Sequence, residues 1–307
     1  MTTAAERQSS ITTGQAAEQI LPRRRGLADF VRRYLRHRRG MLGVILILFF
    51  VILALGADVI APYDPSQTAQ TRSAILQGPS AAHWLGTDFV GRDILSRVVY
   101  GSRISLQVTV IAVSIAVGLG VFLGVIAGYF GGWLDNLVIM RLMDAMMAFP
   151  SLILLMAMAA AVGPSLNNTM IIIGIVFSPG YARLARAVIL SLKQEAFFEA
   201  AMVLGAKPAR IMLHHLLPNV VAPIVVLASL SSAGVILTEA SLSFIGLGVK
   251  PPTPAWGSML NEGYLYILSS PWPSIGPGVA IVLLVLGLNF FGDGLRDTLD
   301  PRLRGKI

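Results

Sequence analysis

Cysteine is absent from the 307 residues and charge is scarce. The first absence excludes disulfides, thiolate metal sites and cysteine nucleophiles, and it leaves the redox compartment unread. The second absence sets the class. Only 13% of the residues are charged and 55% are hydrophobic, with a mean hydropathy of +0.71, whereas an average soluble domain carries roughly 25% charge. This is the composition of an integral membrane protein. Also missing is any G-x-x-x-x-G-K-[ST] stretch, so the chain has no P-loop to cradle nucleotide phosphates. No G-x-S-x-G serine elbow occurs either. His214 and His215 are adjacent, hence about 100° apart on a helix, and make a poor metal pair. These absences exclude nucleotide hydrolysis through a P-loop, serine-elbow hydrolysis and a histidine-pair metal centre.

What is present is a set of long uncharged windows. Each span needs about 20 apolar residues, and six windows qualify: residues 41–60, 104–129, 137–162, 169–189, 219–240 and 276–292. The third and fourth are separated only by the turn signal Gly163-Pro164-Ser165-Leu166-Asn167-Asn168. The predicted organisation is a basic tail (1–40), a first span (41–60), a long loop (61–103), a five-helix core (104–292) with loops at 190–218 and 241–275, and a tail (293–307). Lysine and arginine orient it. With the N-terminus inside, inner segments hold 17 basic residues and outer segments 5, which follows the positive-inside rule. The net charge of +8 is therefore a topology signal with anionic lipid as a natural contact, not a nucleic-acid footprint. Both termini and the 190–218 loop are expected on the cytoplasmic side.

Several local features carry structural expectations. Ala112, Ala116, Gly120, Gly124 and Gly128 recur every fourth position and put five small side chains on one helical face. Such a stripe marks close helix packing, inside the chain or against another subunit. Phe149-Pro150 and Ser178-Pro179-Gly180 predict kinks, since proline removes a helical donor. Thr87 to Tyr100 reads as a short helix capped by Thr87 or Asp88, and the proline-rich run from Lys250 to Pro254 opens a compact outer lid. Within the third span, Arg141 and Asp144 lie three apart and are expected to neutralise one another; they are candidates for the translocation path or a gate. Glu239 at the outer end of the fifth span has no local partner and is the stronger candidate for lining the path or meeting an external protein. Met140, Met143 and Met147 form a stripe expected to be adaptable packing.

The loop from Glu199 to Pro218, EAAMVLGAKPARIMLHHLLP, is a polar island between apolar runs. Strong helix formers run from Lys193 to Leu204, Gly205 permits a turn, and Pro208 suits the first position of a second short helix ending before Pro218. Helix, glycine elbow, helix is a docking shape. An amphipathic helix lying on the membrane interface would show the same spacing.

Glu199-Ala200-Ala201, Gly205 and Leu217-Pro218 resemble the EAA signature of ABC-importer permease subunits. His83 to Leu106, Glu239 to Gly263 and Asn289 to Arg304 are similar to the C-type permease of dipeptide and oligopeptide importers, and the resemblance covers about residues 25 to 305. It departs from the family pattern at His215 and at Ser178, neither of which touches the glutamate or the glycine. The resemblance implies an all-α, six-helix, type I ABC-importer permease fold in the bacterial cytoplasmic (inner) membrane. It implies a non-catalytic transport subunit with Glu199, Ala200, Ala201, Gly205, Ala206, Leu217 and Pro218 as the ATPase-coupling residues. Implied partners are a second homologous permease, two cytoplasmic ATPases that bind ATP and Mg, an extracytoplasmic peptide-binding protein and the peptide itself. Nickel or another cargo is the alternative within this architecture. A secondary transporter needs repeats and an ion site the spans do not display, and a channel leaves the hairpin without a role.

Overall fold

The computed structural model describes residues 27–68 and 74–299, and every regular element in it is helical. The basic residues before residue 27, Arg72, and the tail beyond residue 299 lie outside the described residues. A short helix, α1 (Leu27–Arg36), leads into α2 (Arg38–Leu55), the first span. His37 caps α2, its Nδ1 accepting from the Gly40 amide at 2.9 Å. A four-residue turn of helix, α3 (Ala57–Ile60), follows. Among the described residues, five helices or helix runs are long and apolar enough to cross a membrane, and six if a bent pair is counted as one span.

The second span, α4 (Ile94–Phe130), is longer than its apolar window and absorbs the end of the expected loop helix. That separate helix from Thr87 does not form. The Asp88 carboxylate accepts the amides of Val90 and Arg92 at 3.0 and 2.9 Å, and Gly91 takes φ +80°, so the chain turns there. The cap is Asp93, which accepts from the Ser96 amide at 2.7 Å. The third span is broken rather than kinked. A π-helical turn (Leu134–Ile139) and α5 (Met140–Ala148) meet α6 (Ser151–Val162) at 97° across Phe149-Pro150. Proline disfavours helical backbone in the residue before it, and Phe149 is extended at φ −91°, ψ 141°. The fourth span is α7 (Leu166–Leu192), which carries Pro179 inside it.

The small-residue stripe packs within the chain. A methyl group added at Gly120 would meet the Ser178 carbonyl oxygen at 2.4 Å, and one at Gly124 the Ala182 carbonyl oxygen at 2.4 Å. Thus α4 and α7 cross with their backbones nearly touching, and Ala112 and Ala116 are buried in the same seam. Gly124→Ala is expected to lower the thermal midpoint of the purified protein in detergent, at a cost of about 1–3 kcal/mol for overpacking against backbone that cannot yield. Gly118, where an added methyl meets nothing within 4 Å, is the control: Gly118→Ala should leave the midpoint unchanged or raise it.

The fifth span, α10 (Leu217–Phe244), and the last, α12 (Trp272–Leu299), complete the bundle, with α11 (Trp256–Tyr264) between them. Trp256 is fully buried, donates its indole N–H to the Val98 carbonyl at 3.0 Å, and lies so close to Gly101 that a methyl group there would meet the ring at 2.6 Å. Beside it, four charges on two distant segments are withdrawn from water. Arg92 and Arg97 share both Asp88, at 2.6 and 2.8 Å, and Glu262, at 2.8 and 3.1 Å. Burial pushes the Glu262 carboxyl up from its ordinary range, with Arg92 pulling the other way.

Candidate functional site

The 190–218 loop forms the hairpin at one end of the bundle. Lys193 caps α7 and reaches across to α4, its Nζ donating to the carbonyls of Tyr129 at 2.9 Å and Gly128 at 3.4 Å. A cation on the free carbonyls of a helix C-terminus is favourable, and here it ties the ends of two spans together. Glu195 then breaks the helix with extended backbone, so it precedes α8 (Ala196–Val203) and does not share a helical face with Glu199. Phe198 is the buried anchor of α8, edge-on to Tyr129 at 6.4 Å. Glu199 and Ala200 are exposed.

Gly205 adopts φ +71°. Its amide donates to the Met202 carbonyl at 3.0 Å, and the Ala206 amide donates to the Ala201 carbonyl at 3.1 Å. This pair of bonds is the Schellman arrangement, with glycine in the left-handed position and an apolar contact between the residues it brings together. Ala201 and Ala206 supply that contact, both packed against the same hydrophobic cluster. The five residues 199, 200, 201, 205 and 206 thus divide the labour: two face outward, two pack, and one turns the chain.

The second arm differs from the expected short helix. Pro208 stands at the first position of a turn of helix, α9 (Pro208–Arg210), which passes through a π-helical turn (Ile211–Leu216) straight into α10. Pro218 does not end it. The π turn shifts the hydrogen-bond register, with the Leu217 amide on the Met212 carbonyl, and Asn219 Nδ2 covers the His215 carbonyl at 2.7 Å. Ile211 and Leu216 are fully buried, Leu217 is half-buried and Pro218 is exposed.

The surface so built is also apolar. Met202, Val203 and Leu204 are 53%, 86% and 85% exposed, next to Glu199 and just before the elbow. Three consecutive apolar side chains left uncovered form an exposed hydrophobic patch. The signal was available, since the signature encloses an apolar triplet on a helix too short to bury it.

The other candidates fall elsewhere. Glu239 is 1% exposed in the middle of the bundle's apolar packing; its Oε1 accepts from the Ser243 hydroxyl at 2.7 Å and Oε2 has no partner among the described residues. It does not stand on an open surface. Arg141 and Asp144 do not pair. Asp144 accepts from Arg183 of α7 at 2.5 Å, because the broken span brings α5 alongside α7, and Arg141 is left exposed with no ion pair among the described residues. Met140 and Met143 are buried as expected of packing, whereas Met147 is 49% exposed. No group of three or more histidine and acidic side chains that could hold a metal occurs among the described residues.

The described residues thus form a bundle of apolar helices with an exposed, glycine-turned hairpin at one end. Two family profiles match. Residues 120–305 match the binding-protein-dependent transport system inner membrane component, and residues 27–79 match the N-terminal transmembrane domain of oligopeptide transport permease C. A dipeptide transport system permease protein of Alkalihalophilus pseudofirmus is 46% identical over 269 residues, covering 88% of both chains. A glutathione transport system permease protein of Escherichia coli O157:H7 is 43% identical over 277 residues, covering 90% of this chain and 91% of that protein. The inward-facing MetNI methionine ABC transporter has a chain of the same fold, with a TM-score of 0.55 and 20% identity over 67% of this chain and 98% of its own. The chain belongs to the family of inner membrane components of binding-protein-dependent ABC transport systems.

Proposed function

We propose that the protein is the permease subunit through which an ABC importer moves short peptides, with the hairpin as the seat of its motor. The observation that carries this reading is the exposed Glu199 and Met202–Leu204 surface, held at a fixed angle by Gly205 and joined to two spans, α7 and α10. A cytoplasmic ATPase seats on that surface, and a second homologous permease, a second ATPase and an extracytoplasmic binding protein complete the machine. ATP and Mg are held by the ATPases. The orientation with both termini inside follows from the distribution of basic residues. Peptide cargo is supported by the relatives named for dipeptide and glutathione transport, both peptides with free termini.

The motor's movement reaches the spans as rigid-body motion of packed helices, because the hairpin packs into the cluster formed by α4, α7 and α10. Purification of the chain from its native membrane is expected to bring down two ATPase chains and a second permease. The assembly, reconstituted with its binding protein, should accumulate radiolabelled Ala-Ala only when ATP is supplied. Absence of ATPases from the purified complex, or uptake independent of ATP, overturns the reading. Glu239 is buried in α10 and keeps one carboxylate oxygen without a partner among the described residues, which supports a role sensitive to movement of that span. Glu239→Gln is expected to alter the uptake rate without changing assembly, as read by uptake and by co-purification of the partners.

A further inference from the structure

The broken third span and the proline-bearing α7 leave a cavity of about 330 Å³ between them, lined by Met146, Met147, Phe149, Val176, Phe177 and Pro179. That is within the size range of small-ligand sites, about 300–1,000 Å³. Charges stand one helical turn away on both walls. Asp144 precedes Met147 by three residues on α5, and Arg183 follows Gly180, another lining residue, by three on α7, a spacing that shares a helical face. Both charges lie within the apolar windows. Asp144 is seven residues inside the start of the third window at residue 137 and Arg183 six inside the end of the fourth at residue 189, about 10 Å at 1.5 Å per residue.

Yet the two side chains remain 52% and 47% exposed, and Arg141, one turn away on α5, is exposed as well. Charges facing lipid inside a span cost several kcal/mol, so this face turns away from lipid, towards water or a neighbouring subunit. A second cross-helix pair in the same two segments shows the alternative. Asp135, only 4% exposed, uses both oxygens on Arg186, at 2.6 and 2.5 Å; it is sealed and saturated. Asp144 and Arg183 make one bond to each other, and among the described residues their remaining acceptors and donors are unused.

We propose that the Asp144–Arg183 pair and the methionine-lined cavity beside it form a subsite for a zwitterionic short peptide. Asp144 takes the terminal ammonium, Arg183 takes the terminal carboxylate with Arg141 adding a second cation, and the cargo's side chains rest against Met146, Met147 and Phe149. Methionine is unbranched and polarisable, so one wall accepts varied side chains. An extended dipeptide holds its termini about 7 Å apart, so the pair opens to admit it and one ion pair is exchanged for two. This rests on the peptide-importer reading above.

The test uses the complete reconstituted transporter with its binding protein, and radiolabelled Ala-Ala as probe. Asp144→Asn combined with Arg183→Gln removes both charges, the first without change of shape and the second with a shorter polar side chain. Uptake is expected to fall about tenfold or more, the loss of roughly one charged contact to a ligand, while the thermal midpoint stays at the wild-type level. The charge-swapped double variant, Asp144→Arg with Arg183→Asp, separates a strut from a subsite. A strut is restored by the swap; the subsite is not, because Arg141 then adds to the cation on α5 and repels the ammonium. Unchanged uptake in the neutral variant, or recovery in the swapped one, overturns the proposal. Failure of the wild-type assembly itself to take up Ala-Ala overturns the peptide-importer reading and the subsite with it.

Discussion

Gly205→Pro is expected to abolish uptake while leaving the protein in the membrane at its normal level. Gly205 sits at φ +71°, and proline is locked near −65°, so the elbow cannot close in its native form. The substitution also removes the amide that donates to the Met202 carbonyl. Together these cost about 3 kcal/mol or more, which shifts the population of the correctly turned hairpin by roughly 100-fold. The spans are untouched, because no atom lies within 4 Å of a methyl group added at Gly205. Insertion and abundance should therefore persist, measured by quantitative blotting of the membrane fraction. Uptake of radiolabelled Ala-Ala and co-purification of the ATPases should both be lost. Asparagine tolerates the left-handed region better than other side chains, so Gly205→Asn should retain substantial uptake. If Gly205→Pro transports at the wild-type rate, the hairpin is not the coupling element.

Arg97→Ala is expected to destabilise the protein more than any surface substitution. Arg97 is 1% exposed and bridges Asp88, at 4% exposure, to Glu262. Its removal leaves Arg92 as the only cation facing two carboxylates that are largely shielded from water. Breaking a buried charge group by deleting one partner costs about 3–5 kcal/mol, on the order of 10 °C in thermal midpoint. The group as a whole is a different matter. Asp88, Arg92, Arg97 and Glu262 carry no net charge together, and exchanging all four for apolar residues of similar volume should be nearly neutral for stability. Thermal unfolding of the purified variants in detergent distinguishes the two cases. A midpoint for Arg97→Ala within a degree or two of wild type shows that water already reaches the cluster.

Much of this fold could be read from the residues themselves, and what escaped did so for definable reasons. Six apolar windows were legible because hydropathy is a local property, although α4 begins ten residues before its window, at Ile94. The start of α4 was misplaced because Asp88 reads like a cap. Its carboxylate instead serves a turn and two arginines, and the neighbouring Asp93 does the capping. The four-charge cluster was invisible because Glu262 is 165 and 170 residues from its two arginines. Likewise Arg141 and Asp144 looked like a pair along one helix, and only the bend at Phe149-Pro150 shows why Arg183 takes that place. The backbone of the hairpin's elbow was legible down to single residues. Glycine at 205 and proline at 208 dictate backbone conformation by themselves, with no need of a distant partner. What local reasoning missed there, the continuity of the second arm with α10, depends on a π turn that spacing does not announce.

That continuity has a mechanical consequence. From Pro208 to Phe244 the chain is an unbroken run of 37 helical residues, about 55 Å of rod at 1.5 Å per residue. Its compliant points are Pro223, which removes one helical hydrogen bond, and the turn at Ile211–Leu216, where two of the side chains are clamped in the core. The other arm joins its span through a short non-helical link at residues 193–195. A push on the hairpin would therefore meet continuous helix on one side and a non-helical link on the other. The bundle should twist as it is driven rather than rise evenly, with the far end of α10, near Ser243, moving in step with the stroke.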